Sequence, residues 1–322
     1  MSNNLLETRG LKKYFKTARG PLHAVDDVSI AIQKGKTLGV VGESGCGKST
    51  LGRTVLRLLE PTDGEIWYGG ENISHYSKAQ MKHLRAKMQM IFQDPFSSLN
   101  PRMAVMEIIA EPMLVTPGFG SKAEIYARVQ NLMDTAGLAQ RLAYSYPHEL
   151  DGGRRQRIGV ARALSLSPEF IVCDEPVSAL DVSVQAQILN LLMDLQQELG
   201  LTYMFVTHDL SVVKHISDEI AVMYLGNCVE RAPFETLFAR PTHPYTQALL
   251  SAILKPNLSS RGMTKDIIQG EVTSPINPPP GCRFAPRCPH TTDRCTSTDI
   301  PLSLIGDDHW VACVRTQGVD SK

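Results

Sequence analysis

The sequence lacks a hydrophobic run long enough to span a membrane, and it lacks an excess of charge of either sign. No apolar run approaches the roughly 20 residues that a bilayer-spanning helix needs. Among the 322 residues, 33 are Lys or Arg and 33 are Asp or Glu, so the formal net charge is zero. This balance gives no global attraction to nucleic acid or to an anionic membrane surface. A hydrophobic content of 43% is typical of a soluble globular protein.

The N-terminus also lacks the features of a secretory signal. Residues 1–7 contain neither a basic start nor an apolar core segment, which predicts a cytosolic chain. In a reducing compartment the seven cysteines are not expected to form disulfides. We interpret Cys46, Cys173 and Cys228 as small apolar side chains within predicted core or loop elements. The other four cysteines cluster near the C-terminus.

The chain is organised around a glycine-rich stretch that reads G-x-x-x-x-G-K-[ST]. The apolar run at residues 37–41 predicts a buried parallel strand before it, and helical spacing follows over residues 49–59. Further strands are predicted upstream, over Leu5–Leu11 and Ala24–Ile32. Strand, glycine-rich turn and helix is the arrangement that phosphate binding requires.

This stretch predicts a nucleotide phosphate site. Glycines let backbone N–H groups turn inward to form an anion nest, and the helix N-terminus adds partial positive charge. Lys48 can reach the β and γ phosphates, and the Ser49 hydroxyl can bind Mg²⁺. The residues of the predicted loop are Gly42, Glu43, Ser44, Gly45, Cys46, Gly47, Lys48, Ser49 and Thr50.

Two carboxylates follow a second apolar run. Residues 169–173 predict a strand, and Asp174 and Glu175 come directly after it. Asp174 suits Mg²⁺ through water, and Glu175 is placed to polarise an attacking water. His208 follows the next apolar strand, where it could bond a γ-phosphate or position that water.

Between these regions lies a stretch with helical spacing, from Val105 to about Leu142. It predicts an all-α subdomain, at about residues 96–160, inserted into an α/β chain. Gln93 ends a short strand just before this insertion. Gly152 and Gly153 open a further helix at its end, which is a candidate anion site.

In this order, these motifs resemble the nucleotide-binding subunits of ABC transporters, over roughly residues 5–255. Three further stretches, at 92–101, 240–252 and 278–313, resemble the peptide/nickel importer branch, and among its members the ATPases of dipeptide and oligopeptide importers. The resemblance implies an α/β P-loop nucleotide-binding domain with an antiparallel β-subdomain and the inserted helical subdomain. It also implies a small cysteine-containing extension at 256–322.

The resemblance assigns roles to single residues. Gln93 is expected to touch Mg²⁺ and to relay to the membrane subunits, Glu175 to be the catalytic glutamate and His208 the switch histidine. Phe15 matches the aromatic position that stacks on adenine, with Tyr14 as the alternative. Ser178 to Asp181 match the D-loop.

The signature motif departs from the family pattern. It usually reads Leu-Ser-Gly-Gly-Gln, and here it reads Leu150, Asp151, Gly152, Gly153, Arg154. The usual serine donates to the γ-phosphate bound on the opposite subunit, which an ionised Asp151 cannot do. Arg154 offers donors that could offset part of the added negative charge. We hypothesise that the composite site completed by this signature turns over more slowly than its counterpart.

The implied function is ATP hydrolysis that powers import of di- or oligopeptides at the cytoplasmic face of the membrane. The implied partners are a homologous second ATPase, two permeases and, through them, an extracytoplasmic peptide-binding protein. The alternative is a weakly hydrolysing regulatory subunit of a transporter for nickel chelates or opines. An ABC ATPase acting on DNA or ribosomes is disfavoured, because the sequence shows no second cassette, coiled-coil insertion or basic arm.

The four C-terminal cysteines are spaced Cys282-x₅-Cys288-x₆-Cys295-x₁₇-Cys313 in a proline-rich segment. Four thiolates could hold a [4Fe–4S] cluster or a zinc ion, and either would order a segment with few apolar residues. Zinc sites usually show tight C-x₂₋₄-C pairs, which are absent here. The resemblance to peptide-importer ATPases favours the cluster, with zinc and unliganded thiols as the alternatives.

Overall fold

A computed structural model describes residues 3–252, 270 and 273–316, so the predicted boundary at residue 256 lies outside the described residues. Over those ranges no helix is long and apolar enough to cross a membrane. The chain divides into two compact units. The first unit comprises residues up to Gln33, Thr37–His75 and the chain from Thr207 onward, and the second unit comprises Lys34–Lys36 and Tyr76–Val206.

The strands that the structure describes are β1 (Asn4–Thr17), β2 (Gly20–Val28), β3 (Ala31–Gln33), β4 (Thr37–Val41), β5 (Asp63–Tyr68), β6 (Glu71–Asn72), β7 (Met88–Ile91), β8 (Phe170–Asp174), β9 (Thr202–Val206), β10 (Glu219–Tyr224), β11 (Asn227–Pro233), β12 (Ser303–Gly306) and β13 (His309–Val311).

The helices in the same ranges are α1 (Lys48–Val55), α2 (Lys78–Lys87), α3 (Pro95–Ser98), α4 (Val105–Val115), α5 (Lys122–Thr135), α6 (Gly152–Leu164), α7 (Val182–Leu199), α8 (Leu210–Ile216), α9 (Phe234–Ala239), α10 (Pro244–Ser251) and α11 (Asp293–Ser297).

The first unit contains an antiparallel sheet and a second sheet that carries the glycine-rich loop. The antiparallel sheet has the order β2-β1-β5-β6, with β3 paired to β1. In the second, the order runs β12-β13-β11-β10-β4, and β10 and β4 are parallel, with Val222 opposite Val41. Val40 and Val41 are fully buried, which explains why β4 reads as a continuous apolar run. The predicted antiparallel β-subdomain is confirmed.

The predicted strand Ala24–Ile32 is wrong in its continuity, because the structure divides it into β2 and β3. The Thr8 hydroxyl donates to the Val28 carbonyl at 2.9 Å and accepts from the Ile30 amide at 3.1 Å. A side chain of β1 thus takes the place of a backbone partner at this point. The ladder is interrupted, although Val28 and Ile30, on either side of the exposed Ser29, are both buried.

The second unit combines a parallel sheet with packed helices. β7, β8 and β9 pair in parallel, with Val172 opposite both Met90 and Met204. Helices α4, α5 and α6 share a hydrophobic cluster in which Ile109, Val129 and Ile158 are fully buried. The inserted helical subdomain expected from the 3.6-residue periodicity is therefore confirmed.

Candidate active site

The glycine-rich loop joins β4 to α1 in a conformation that requires glycine. Gly42, Gly45 and Gly47 have φ values of 152°, 78° and 103°. A Cβ at Gly42 would lie 2.1 Å from the Met223 carbonyl oxygen, and one at Gly47 would lie 1.9 Å from the Ala24 carbonyl oxygen. The loop is therefore pressed against neighbouring backbone and tolerates no side chain at these two positions.

Lys48 is folded across this loop. The residue is 4% exposed, and Nζ donates to the carbonyls of Gly42 at 2.8 Å and Glu43 at 2.9 Å. Helix α1 begins at Lys48, and its N-cap Gly47 has no side chain with which to satisfy a first-turn amide. Ammonium and helix N-terminus together form a site suited to a phosphate anion.

Glu43 is fixed within the loop by residues that the sequence did not single out. Its backbone amide donates to the Tyr245 hydroxyl at 2.9 Å, and its carboxylate accepts from Arg287 Nη1 at 3.0 Å. Tyr245 lies 202 residues and Arg287 lies 244 residues further along the chain. No local pattern could have found these contacts, because they depend on the fold of the C-terminal region.

The two candidates for the adenine-stacking residue have different surroundings. The Tyr14 ring stacks on His23 with centroids 3.8 Å apart, and its hydroxyl bonds the Asp26 carboxylate. Burial raises the pKa of Tyr14, as do the hydrogen bond to Asp26 and the charge of that carboxylate. Phe15 is 36% exposed and carries the Lys13 ammonium over its ring at 5.1 Å. One face of Tyr14 is therefore covered, whereas Phe15 reaches solvent.

In the second unit, the two predicted carboxylates lie at the carboxyl end of β8. Asp174 is fully buried at the last position of the strand. Glu175 has a left-handed backbone, with φ of 46°, and its amide donates to the Val206 carbonyl at 2.8 Å. Gln93 Nε2 donates to Glu175 Oε2 at 2.8 Å. The structure thus brings together the predicted glutamine and the predicted catalytic glutamate.

The signature residues form the start of helix α6. Asp151 is its N-cap, and the carboxylate accepts from the Arg154 amide at 2.8 Å and pairs with Arg154 Nη1 at 3.4 Å. A Cβ on Gly152 would lie 3.1 Å from Leu180, and one on Gly153 would lie 2.7 Å from Val184. Both glycines therefore allow close approach of the segment that begins α7. Asp151 also fills a capping role that serine performs equally well.

The predicted D-loop ends at another helix cap. Asp181 is the N-cap of α7 and accepts from the Val184 amide at 3.0 Å and from the Ser183 hydroxyl at 2.7 Å. The hydrogen bond from Ser183 and that from the Val184 amide lower the pKa of Asp181. Ser178 donates to the Glu175 carbonyl at 3.1 Å. The D-loop is thus tied by hydrogen bonding to the residue after β8.

His208 is exposed in the first unit. It follows Thr207, whose amide donates to the Val40 carbonyl at 3.1 Å. Val40 belongs to β4, the strand that leads into the glycine-rich loop. The hydrogen bond therefore holds Thr207, the residue before His208, beside that strand.

The four C-terminal cysteines line one small cavity of about 20 Å³, together with His243, Phe284 and His290. Burial raises the pKa of Cys282 to about 11 and also raises the pKa of Cys288 and Cys313. Across the part of the chain that the structure describes, no group of three or more His, Cys, Asp and Glu side chains is arranged to hold a metal ion. The thiols converge, but the predicted ligand set is not assembled.

The chain matches known proteins along most of its length. It matches the family model described as ABC transporter over residues 25–178 and that described as Oligopeptide/dipeptide transporter, C-terminal region, over residues 229–295. The oligopeptide transport ATP-binding protein AppF of Bacillus subtilis is 49% identical over 96% of each chain. A Brucella ovis protein, whose name assigns it to ATP binding in peptide import, is 50% identical over 97% of this chain and 98% of its own. The chain belongs to the ABC transporter family.

Solved ABC cassettes share its fold. The ATP-binding cassette MJ0796, in a dimeric post-hydrolysis state bound to ADP and Pi, has a TM-score of 0.66 and 28% identity, covering 71% of this chain and 98% of that one. The cbiO1 cassette of Clostridium perfringens has the same score and identity, covering 74% and 92%. As an ABC cassette, the chain binds and hydrolyses ATP.

Proposed function

We propose that the chain is the ATP-hydrolysing subunit that powers uptake of di- or oligopeptides through a membrane transporter. The observation that carries this proposal is the loop in which Lys48 and the N-terminus of α1 face a glycine cradle that excludes side chains. The match of residues 229–295 to the oligopeptide/dipeptide C-terminal model supports peptides as the cargo. The names of the relatives favour the same cargo over nickel chelates or opines.

Within this proposal the loop residues Gly42 to Thr50 enclose the ATP phosphates. Lys48 neutralises the β and γ phosphates. Mg²⁺, when bound, offsets phosphate charge, and the residues that would hold it are Ser49, Asp174 and Gln93. Their hydroxyl, carboxylate and amide oxygens are the hard donors that this ion prefers.

Three further residues are proposed to act on the attacking water, the γ-phosphate and the adenine ring. Glu175 polarises the attacking water, and His208 bonds the γ-phosphate or the same water. Phe15 stacks on adenine, because it is exposed whereas one face of the Tyr14 ring is covered by His23. The signature residues Asp151, Gly152, Gly153 and Arg154 act on ATP bound to the partner ATPase.

The proposed assembly contains a homologous second ATPase and two permeases, which receive peptide from an extracytoplasmic binding protein. The chain is then peripheral at the cytoplasmic face of the membrane, held there by the permeases. The C-terminal family match supports permease partners, since it is described as a transporter region.

We further propose that Cys282, Cys288, Cys295 and Cys313 hold a metal centre, a [4Fe–4S] cluster as the family resemblance implies. The support is their convergence on one cavity. Its volume of about 20 Å³ is room for about one water molecule, so the thiols would have to move apart to admit a cluster. A bound centre would supply structural order to a segment with little regular structure.

The test uses the full chain with its transporter partners in vesicles. Lys48→Ala is expected to weaken ATP binding by more than about tenfold, and Glu175→Gln to preserve binding while lowering turnover by about 100-fold or more. Lys82→Ala, at an exposed position of α2, is the matched lysine control. ATP binding by Lys48→Ala at the affinity of the parent chain would contradict the nucleotide site. ATP-dependent uptake of a nickel chelate but not of labelled peptides would contradict the cargo.

A further inference from the structure

The C-terminal extension reaches the phosphate loop through one arginine. Arg287 ends the turn Ala285–Arg287, directly before Cys288. Its Nη1 lies 3.0 Å and 3.3 Å from the two carboxylate oxygens of Glu43, the second residue of the loop. The Arg287 side chain is 7% exposed and that of Glu43 is 28% exposed. The pair is thus largely withdrawn from solvent, where a charge-assisted hydrogen bond is stronger than at the surface.

An aromatic group holds this arginine in place. Arg287 Nη1 donates to the Tyr224 hydroxyl at 3.3 Å, and the guanidinium lies 6.0 Å from the Tyr224 ring centroid. Tyr224 packs edge-on against Tyr245 and Phe284, with centroids 4.7 Å and 5.3 Å away. Since Tyr245 and Phe284 are fully buried, they hold the Tyr224 ring in a fixed position, and Tyr224 in turn fixes the Arg287 side chain.

The contact is transmitted to Lys48 through Glu43. The Glu43 amide donates to Tyr245, its carboxylate accepts from Arg287, and its carbonyl accepts from Lys48 Nζ at 2.9 Å. A glycine-rich loop has little conformational preference of its own. Contacts from outside the loop fix Glu43 and so restrict the loop before nucleotide binds. Binding therefore costs less conformational entropy of the loop.

There is also an electrostatic reason for the pair. Glu43 places a negative charge in a loop that binds a polyanion, which opposes phosphate binding. The Arg287 guanidinium compensates that charge at 3.0 Å. Loss of the arginine alone would leave the carboxylate uncompensated beside the phosphates.

We propose that Arg287 is a positioning residue for ATP binding: acting through Glu43, it holds the phosphate loop in its binding conformation and compensates the charge of the loop carboxylate. The affinity for MgATP then depends on the C-terminal extension, although no residue of that extension touches the nucleotide in this scheme. The inference rests on the proposed nucleotide site at the loop.

A double-mutant cycle on the purified full-length chain tests the proposal, with MgATP affinity as the readout. Arg287→Gln is expected to raise the Kd by about fivefold or more, and Arg287→Lys to recover part of the loss. Adding Glu43→Gln to Arg287→Gln is expected to restore affinity several-fold, because the uncompensated charge is removed. Such recovery also shows that loss of the arginine did not unfold the extension. Arg294→Gln, exposed on the same extension, is the matched control.

Steady-state turnover separates positioning from a general structural role. Arg287→Gln is expected to raise the KM for ATP with kcat within about twofold, since it removes binding that ground and transition states share. Equal Kd values for the parent chain and Arg287→Gln, or strictly additive effects of the two substitutions, would overturn the inference. If the parent chain binds no MgATP, or if Lys48→Ala binds it equally well, the proposed nucleotide site itself fails. That result is distinct from failure of the Arg287 contact alone.

Discussion

Gln93 Nε2 donates a 2.8 Å hydrogen bond to the Glu175 carboxylate, across 82 residues of sequence. The contact follows from the parallel pairing of β7 and β8, in which Ile91 lies opposite Cys173. The carboxyl ends of neighbouring parallel strands meet at one edge of a sheet, so the residues that follow them become neighbours. The Glu175 amide is also bonded to the Val206 carbonyl. The carboxylate is therefore held from both the backbone and a side chain.

Gln93→Ala is expected to lower kcat for ATP by about tenfold, because the Glu175 carboxylate loses its orienting donor. This loss is smaller than the roughly 100-fold or greater effect of removing a general base. Gln93→Glu should be more damaging, since a second carboxylate would repel the Glu175 carboxylate instead of donating to it. ATPase rates of the complete transporter give the measurement, with MgATP affinity measured in parallel. Gln89→Ala on β7, where Gln89 Nε2 donates to the Arg85 carbonyl, is the control. Equal rates for both alanine variants would refute the orienting role.

Asp151 has two roles that substitutions separate, namely capping of α6 and placement of a charge in the signature motif. Asp151→Ala is expected to lower the free energy of unfolding by about 1 kcal/mol, whereas Asp151→Ser retains a cap and costs little. If the aspartate slows the site that it completes, Asp151→Ser raises ATP turnover of the transporter. Ser121→Ala, which removes the cap of α5, controls for stability loss without a signature change. An unchanged rate in Asp151→Ser would argue against asymmetry between the two ATP sites.

The sequence predicts those parts of the site that are local in the chain. The spacing of Gly42, Gly47 and Lys48 alone indicates an anion cradle, because turn, helix start and cation follow one another within a few residues. The partners of Glu43 could not be predicted, since Tyr245 and Arg287 approach it only after the C-terminal region has folded. The break between β2 and β3 was missed for a similar reason, as it depends on the Thr8 hydroxyl of another strand.

His243 predicts a pH dependence of stability. It is 1% exposed, and burial lowers its pKa to about 4, although the nearby Glu230 carboxylate acts in the opposite direction. Its Nδ1 accepts from the Tyr245 amide at 3.1 Å. Since the folded pKa lies below the unfolded value of about 6.5, the unfolded chain binds the proton first as pH falls. The contribution of about 3 kcal/mol is therefore present above pH 6.5 and lost between pH 6.5 and 4.

His243→Asn should flatten the pH dependence of the unfolding free energy in that window, while its side-chain oxygen can still accept from the Tyr245 amide. The measurement is the difference between variant and parent chain in denaturant unfolding at several pH values. His83→Asn, exposed on α2, should leave the slope unchanged. Parallel curves for His243→Asn and the parent chain would show that His243 is not the titrating group.

The proposed metal centre at the four C-terminal cysteines would bind its metal in exchange for protons. Burial raises the pKa of Cys282 to about 11, so a metal ion must displace a proton from this thiol, and binding should strengthen as pH rises. Chain purified without oxygen is expected to contain about four irons and four sulfides and to absorb broadly in the blue. Cys295→Ser should lose the metal and lower the melting temperature, whereas Cys228→Ser, outside the cavity, should retain it. One zinc and no iron would show that the cysteines hold a structural zinc ion in place of the cluster. Absence of both iron and zinc would refute the metal centre but leave the ATPase assignment intact.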